Sequence, residues 1–144
     1  MLNRVVLVTG GFDPLHSGHI EYFRAARQLG TMLVVGVNSD AWLTRKKGQA
    51  FMPIKDRVAI IESLRMVDHC ILFDDSDDSA IEAIRNVKLI YPNSTIVFAN
   101  GGDRSQDNIP EMSEPDVEFV FGVGGDFKLN SSSELLNRWN STQR

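Results

Sequence analysis

The sequence predicts a doubly wound α/β domain built on a five-stranded parallel sheet. Two observations carry this prediction. Short apolar, β-branched runs alternate with segments whose apolar residues recur at helical spacing. Glycine-rich or charged stretches follow the strand-like runs, and in an open α/β sheet those positions face a ligand.

Arg4–Thr9 (RVVLVT) is a buried strand ended by Gly10-Gly11. From about Gly18 to Leu29, Ile20, Phe23, Ala26 and Leu29 form a helical stripe, and Gly30 stands where a helix C′ residue would. Met32–Val37 (MLVVGV) is the second strand. Asn38–Phe51 is polar and basic and reads as a loop or a short irregular helix. Pro53 opens a helix that carries Val58, Ile61, Leu64 and Arg65. Cys70–Phe73 is a third strand, followed by the acidic turn Asp74–Asp78. Ser79 and Glu82 have capping-box spacing, and Ile81, Ile84, Val87 and Ile90 give the inner stripe of the helix they start. Pro92-Asn93 ends it. Thr95–Ala99 is the fourth strand, with Gly101-Gly102 behind it, and Val117–Phe121 is the fifth. Ser131 and Glu134 cap a short last helix, Ser132–Trp139, and residues 137–144 are expected to fray.

The chain has 144 residues, the size of one domain, and a chain this long buries about 70% of its extended surface. Residues 1–144 are therefore read as a single domain. The net charge of −4 argues against a general nucleic-acid binder, yet leaves room for a local basic pocket. One cysteine, Cys70, excludes an internal disulfide and a cysteine-rich metal site, and fits a reducing, cytoplasmic setting. The apolar run at the N-terminus meets glycine too soon for a signal sequence or a membrane span, so no membrane association is expected.

The segment Gly10-Gly11-Phe12-Asp13-Pro14-Leu15-His16-Ser17-Gly18-His19 carries the chemistry. Two glycines leave the strand end bare, so backbone N–H groups can approach a phosphate. A helix that starts near Ser17 or Gly18 offers its N-terminus to an anion. His16 and His19, three residues apart on that first turn, can face one pocket and donate to phosphate oxygens; when protonated they would add positive charge. Two of the chain's three histidines lie within these four residues. A zinc site lacks a third ligand at suitable spacing.

These residues resemble the GxFDxxHxGH segment of the cytidylyltransferase-like nucleotidyltransferases, whose branches include glycerol-3-phosphate cytidylyltransferases and heptose-1-phosphate adenylyltransferases. The similarity covers almost the whole chain: Val37–Asp40, Lys47-Gly48, Pro53–Arg57, Arg65–Asp68, Gly101–Asp103 and Asn130–Ser133 match family segments in order. The resemblance implies a Rossmann-like fold and transfer of a nucleoside monophosphate, CMP favoured, from an NTP to a small phosphorylated acceptor. The alternative is adenylyl transfer to a sugar phosphate.

By the same resemblance, His16, His19 and Lys47 are catalytic. Gly10, Gly11, Phe12, Asp13, Gly18, Gly102, Asp103, Arg104, Ser131, Ser132 and Ser133 bind the nucleotide. Arg45, Lys46, Arg57, Arg65 and Lys128 bind phosphate or acceptor, Lys128 standing in for an arginine that glycerol-phosphate members carry where Asp126 stands here. The alternative for Arg45–Lys47 is a solvated loop. Arg57 and Arg65, eight residues apart on one helix, could instead pair with Glu62 or Asp68. Mg²⁺ is expected with the NTP, and a homodimer through the apolar residues near Met66–Cys70. A nucleotide-binding protein without catalysis is the rival from another class.

Overall fold

The computed structural model describes residues 3–102, 109–125 and 131–142. Along the chain run β1 (Arg4–Gly10), α1 (Ser17–Arg27), β2 (Met32–Val37), α2 (Asp40–Lys47), α3 (Ile54–Glu62), β3 (His69–Leu72), α4 (Ile81–Ile90), β4 (Thr95–Ala99), a 3₁₀ turn (Pro110–Ser113), β5 (Val117–Val120) and α5 (Ser132–Thr142). The five strands form one sheet in the order β3-β2-β1-β4-β5, and all four pairings are parallel. The doubly wound parallel sheet is therefore as the alternating pattern requires.

The sheet separates two cores, and β1 shows how. Val5 and Leu7 point to the face covered by α4, where they meet Ile84 and Val87. Val6 and Val8 point to the opposite face, with Phe23 of α1 and Ile61 of α3. This is the period-2 alternation of a strand buried on both sides. Strand order reverses at β1, which has β2 on one side and β4 on the other. Chains leaving β1 and β4 turn to opposite faces, and the crevice between them is where such sheets bind ligands.

Four local expectations are corrected. Residues 38–51 contain a regular helix, α2, capped by Ser39, whose hydroxyl accepts from Trp42 N at 3.0 Å. Asp40 in its first turn and Arg45, Lys46 and Lys47 in its last match the helix dipole. Only Leu43 of α2 is buried, so no apolar period marks the helix. Gly30 is needed for a different reason from the one expected: a Cβ there would lie 2.4 Å from the Arg4 carbonyl oxygen. The Ser79–Glu82 capping box does not form. Glu111, 1% exposed, reaches across and accepts from Ala80 N at 2.7 Å, while Glu82 pairs with Arg85. Finally, the chain from 137 to 142 is helical, since α5 continues to Thr142. Smaller shifts place β3 one residue earlier than expected and end α3 at Glu62, short of Arg65.

Candidate active site

A cavity of about 540 Å³ opens beyond the carboxyl ends of β1 and β4. Its floor is the turn after β1. A Cβ on Gly10 would come within 2.9 Å of the Phe12 ring, and one on Gly11 would sit 2.9 Å from Leu43 and 3.3 Å from Trp42. The glycines thus let α2 and the Phe12 ring pack directly on this backbone. Phe12 holds φ +51 and is buried, edge-on to both His19 and Phe23. The Asp13–Pro14 peptide is cis.

The two histidines form the start of α1. His16 is the N-cap, in extended conformation, and its Nδ1 accepts from Gly18 N at 3.1 Å. His16 N in turn donates to Nδ1 of His19 at 3.2 Å. This is a reciprocal capping box with imidazoles in place of the usual hydroxyl and carboxylate. The rings stack at 3.9 Å between centroids, 27° apart. Because each Nδ1 accepts a backbone N–H, each neutral ring carries its proton on Nε2. The chemistry they offer is therefore a pair of Nε2–H donors on a helix N-terminus. A protonated Nδ1 could not accept, so the capping geometry is that of the neutral rings.

The remaining walls come from distant segments. Ser132 donates its hydroxyl to Pro14 O at 2.8 Å, which fastens the start of α5 to the turn after β1. Ser131 accepts from Glu134 N at 3.0 Å, as its spacing predicts. Residues 131–133 all line the cavity, as do Gly18, Gly102 and Lys47 at the end of α2. On the β4 side, the Tyr22 hydroxyl donates to Ala99 O. Gly124, at φ +85, lies so close to Tyr22 that a Cβ would be 3.0 Å from its Cα.

Several expected ligand contacts are engaged elsewhere. Arg57 is wholly buried and is absent from the cavity wall. It donates to three backbone carbonyls, of Met52, Gly11 and Asn38, and pairs with Asp40 at 2.6 Å. Neither Glu62 nor Asp68 is its partner. Asp13 is buried and accepts from Phe51 N and Met52 N, both at 2.7 Å, so it is a fastening for the loop before α3. Arg45 binds Asp78 and the carbonyl of Asp75. Lys46 lies over the Trp42 ring, 5.8 Å from its centre, and borders a neighbouring cavity. Arg65 is exposed beyond the end of α3 and does not line the cavity. Asp103, Arg104 and Lys128 lie outside the described residues.

Asn100 and Glu111 line the cavity although nothing singled them out, and with them stand Asn38, from the Val37–Asp40 segment, and Trp42. Asn38 and Asn100 each follow directly on a strand, and that position was the available signal. Asn38 is held by Asp75, which accepts from its Nδ2 at 3.0 Å and from Ser39 N and Oγ at 2.8 and 2.7 Å. Burial pushes the Asp75 carboxyl up, but the bonds from Asn38 and Ser39 outweigh it and hold it below the ordinary range. A depressed carboxyl stabilises the fold above its unfolded pKa, and the gain is lost as pH falls through the folded one. The stability difference between wild type and Asp75→Asn should therefore be flat above about pH 5 and shrink below about pH 4, as read by denaturant unfolding. A difference that grew on acidification would contradict this role.

Residues 7–122 match the family model for cytidylyltransferase-like proteins. The chain belongs to the cytidylyltransferase-like family. Among its relatives, bifunctional protein HldE of Geobacter sulfurreducens is 37% identical over 144 residues, and HldE of Pelobacter propionicus 34% over 143. Each alignment covers 94% of this chain but 28% of the relative, so the chain spans about a quarter of those proteins. A lipopolysaccharide core biosynthesis protein from Thermoplasma volcanium superposes with a TM-score of 0.62 at 28% identity, over 83% of this chain and 95% of that one. A bifunctional NMN adenylyltransferase/ADP-ribose pyrophosphatase from Francisella tularensis, complexed with AMP and manganese, superposes at 0.70 over 97% of this chain and 42% of its own; at 16% identity this likeness is one of fold.

Proposed function

We propose that the chain transfers AMP from ATP to a small sugar phosphate and releases pyrophosphate. The observation that carries this is the convergence of Gly10, Gly11, His16, His19, Lys47 and residues 131–133 on one cavity. The similarity to HldE proteins over nearly the whole chain favours ATP and a sugar phosphate over the CTP expected from the sequence.

In this reading an oxygen of the acceptor phosphate attacks the α-phosphorus while the bond to the bridging oxygen breaks, and that oxygen leaves with pyrophosphate. Such a transfer needs positioning and charge stabilisation, with no protein nucleophile. The glycine turn after β1 and the positive end of the α1 dipole face the α-phosphate. The Nε2–H groups of His16 and His19 donate to the transferring phosphoryl oxygens and the leaving group. Lys47 draws the acceptor phosphate toward the α-phosphate. Residues 131–133, at the N-terminus of α5, hold the β- and γ-phosphates.

Among the described residues no three His, Cys, Asp or Glu side chains gather to hold a metal. In this reading a divalent cation, Mg²⁺ for this chain, would arrive on the nucleotide, held by phosphates and water, and would neutralise their charge. Among the described residues no helix is long and apolar enough to cross a membrane. The soluble nucleotide and the lone cysteine fit a cytoplasmic enzyme, with residues 1–144 acting as one domain. A homodimer could use the half-buried Met66, Val67 and Cys70.

A thermal-shift screen tests the base. At a hundredfold excess over Kd, a ligand adds about 2.7 kcal/mol, which raises Tm by roughly 10 °C in a domain of this size. ATP with Mg²⁺ should give that shift, and CTP, GTP and UTP clearly less. A shift with CTP alone would restore the cytidylyl reading. Pyrophosphate release on adding sugar 1-phosphates then tests the acceptor, and its absence with every acceptor tried would favour a nucleotide-binding protein without catalysis.

A further inference from the structure

A second cavity, about 520 Å³, lies between the loop after α2 and one side of α5. Ser133, Asn137 and Asn140 recur at i, i+4 and i+7 along α5 and face it as a stripe. Lys46, Lys47 and Gln49 form the opposite wall. Its one carboxylate, Asp13, is 2% exposed and already accepts two backbone amides. The polar groups that remain on the wall are two ammonium groups, three amides and a hydroxyl. All of them can donate, and the two ammonium groups, with no free carboxylate to balance them, favour a mobile anion over a cation. Lys47 and Ser133 also line the first cavity, so the two spaces adjoin at the residues that face the phosphates.

We infer that the second cavity is the outlet for pyrophosphate. This rests on the nucleotidyl-transfer reading, in which the leaving group forms beside residues 131–133. Once the α–β bridging bond has broken, pyrophosphate is the one polyanion at that corner with no covalent tie to nucleoside or acceptor. Passing Lys47 and Ser133 it meets Lys46, Gln49, Asn137 and Asn140, which replace in sequence the donors it gives up. The nucleotide product stays in the first cavity, held on the β4 side. The outlet thus separates the two products and lets pyrophosphate depart first.

Trp139 borders the second cavity and Trp42 the first, and the chain has no other tryptophan. In Trp42→Phe, which keeps an aromatic ring beneath Lys46, Trp139 is the sole indole. Titrating this full-length variant with inorganic pyrophosphate, without NTP or acceptor, should give a saturable change in Trp139 emission. One partly exposed charge contact is worth a factor of about five in affinity, so Lys46→Gln should weaken that binding about fivefold. In steady state the same substitution should raise the inhibition constant of pyrophosphate about fivefold and move the KM for NTP by less than about twofold.

An unmoved Trp139 signal would overturn the outlet. So would an equal rise in NTP KM, which would make the cavity an extension of the triphosphate site. A response to sugar phosphates but not to pyrophosphate would assign the space to the acceptor and overturn it too. The titration needs neither NTP nor acceptor, so its failure overturns the outlet even where transfer occurs. Absence of transfer with every acceptor, beside an intact Trp139 response, would overturn the transfer reading and with it the outlet, and would leave only a pyrophosphate-binding cavity.

Discussion

His16→Asn and His19→Gln should each lower kcat/KM at least about a hundredfold while leaving the fold intact. The choice of residues follows from the capping geometry. His16 caps α1 by accepting from Gly18 N, and asparagine is among the best residues for that role. His19 reaches back to accept from His16 N, which a glutamine at the third helical position also does. Each replacement keeps the acceptor and moves the side-chain N–H donor away from the ring position that faces the transferring phosphoryl oxygens. Stability should change by less than about 1 kcal/mol, or roughly 4 °C in Tm. Alanine would remove both functions at once and confound them. Wild-type turnover in both variants would sink the assigned roles.

This part of the site was legible in the sequence because its logic is local. The glycines, His16, His19 and the strand before them lie within sixteen residues, and helix capping acts over three. The strands were legible because β1, β2 and β4 are buried on both faces and read as unbroken apolar runs. What sequence patterns could not show was set by partners remote along the chain. Ser79 and Glu82 have ideal capping-box spacing, yet Glu111, 31 residues from Ala80, takes the amide instead. α2 has one buried residue in eight, so periodicity had nothing to register. Asp13 was grouped with the nucleotide contacts because it belongs to the motif, but its partners lie 38 and 39 residues away. Spacing identifies a residue that matters; it does not say whether the side chain meets ligand or backbone.

Arg57 is the sharpest instance, and its replacement should have the largest effect on stability. Its guanidinium bonds the carbonyls of Gly11 at 2.9 Å, Asn38 at 2.7 Å and Met52 at 3.0 Å, and closes on Asp40. These oxygens belong to the turn after β1, the end of β2, the loop before α3 and the first turn of α2. One cation thereby locks the glycine turn to the helix that ends in Lys47. Asp40 is partly exposed and can re-solvate on losing its partner, but Asn38 is buried and its carbonyl cannot. Arg57→Met should therefore cost about 3–5 kcal/mol, lowering Tm by roughly 10–20 °C. Arg57→Lys should not restore it, because an ammonium cannot reproduce a planar fork directed at separate carbonyls. A purely structural role would lower Tm and leave turnover near wild type well below the melting point. A positioning role predicts lost turnover there as well, since freeing the Gly11 carbonyl lets the neighbouring amides turn from the phosphate. Guanidinium ion added to Arg57→Ala at millimolar concentration should then recover part of kcat by refilling the gap. Failure of that rescue, with kcat in Arg57→Lys unchanged, would reduce Arg57 to a core residue and leave Lys47 to be positioned by Ser39 and Asp75 alone.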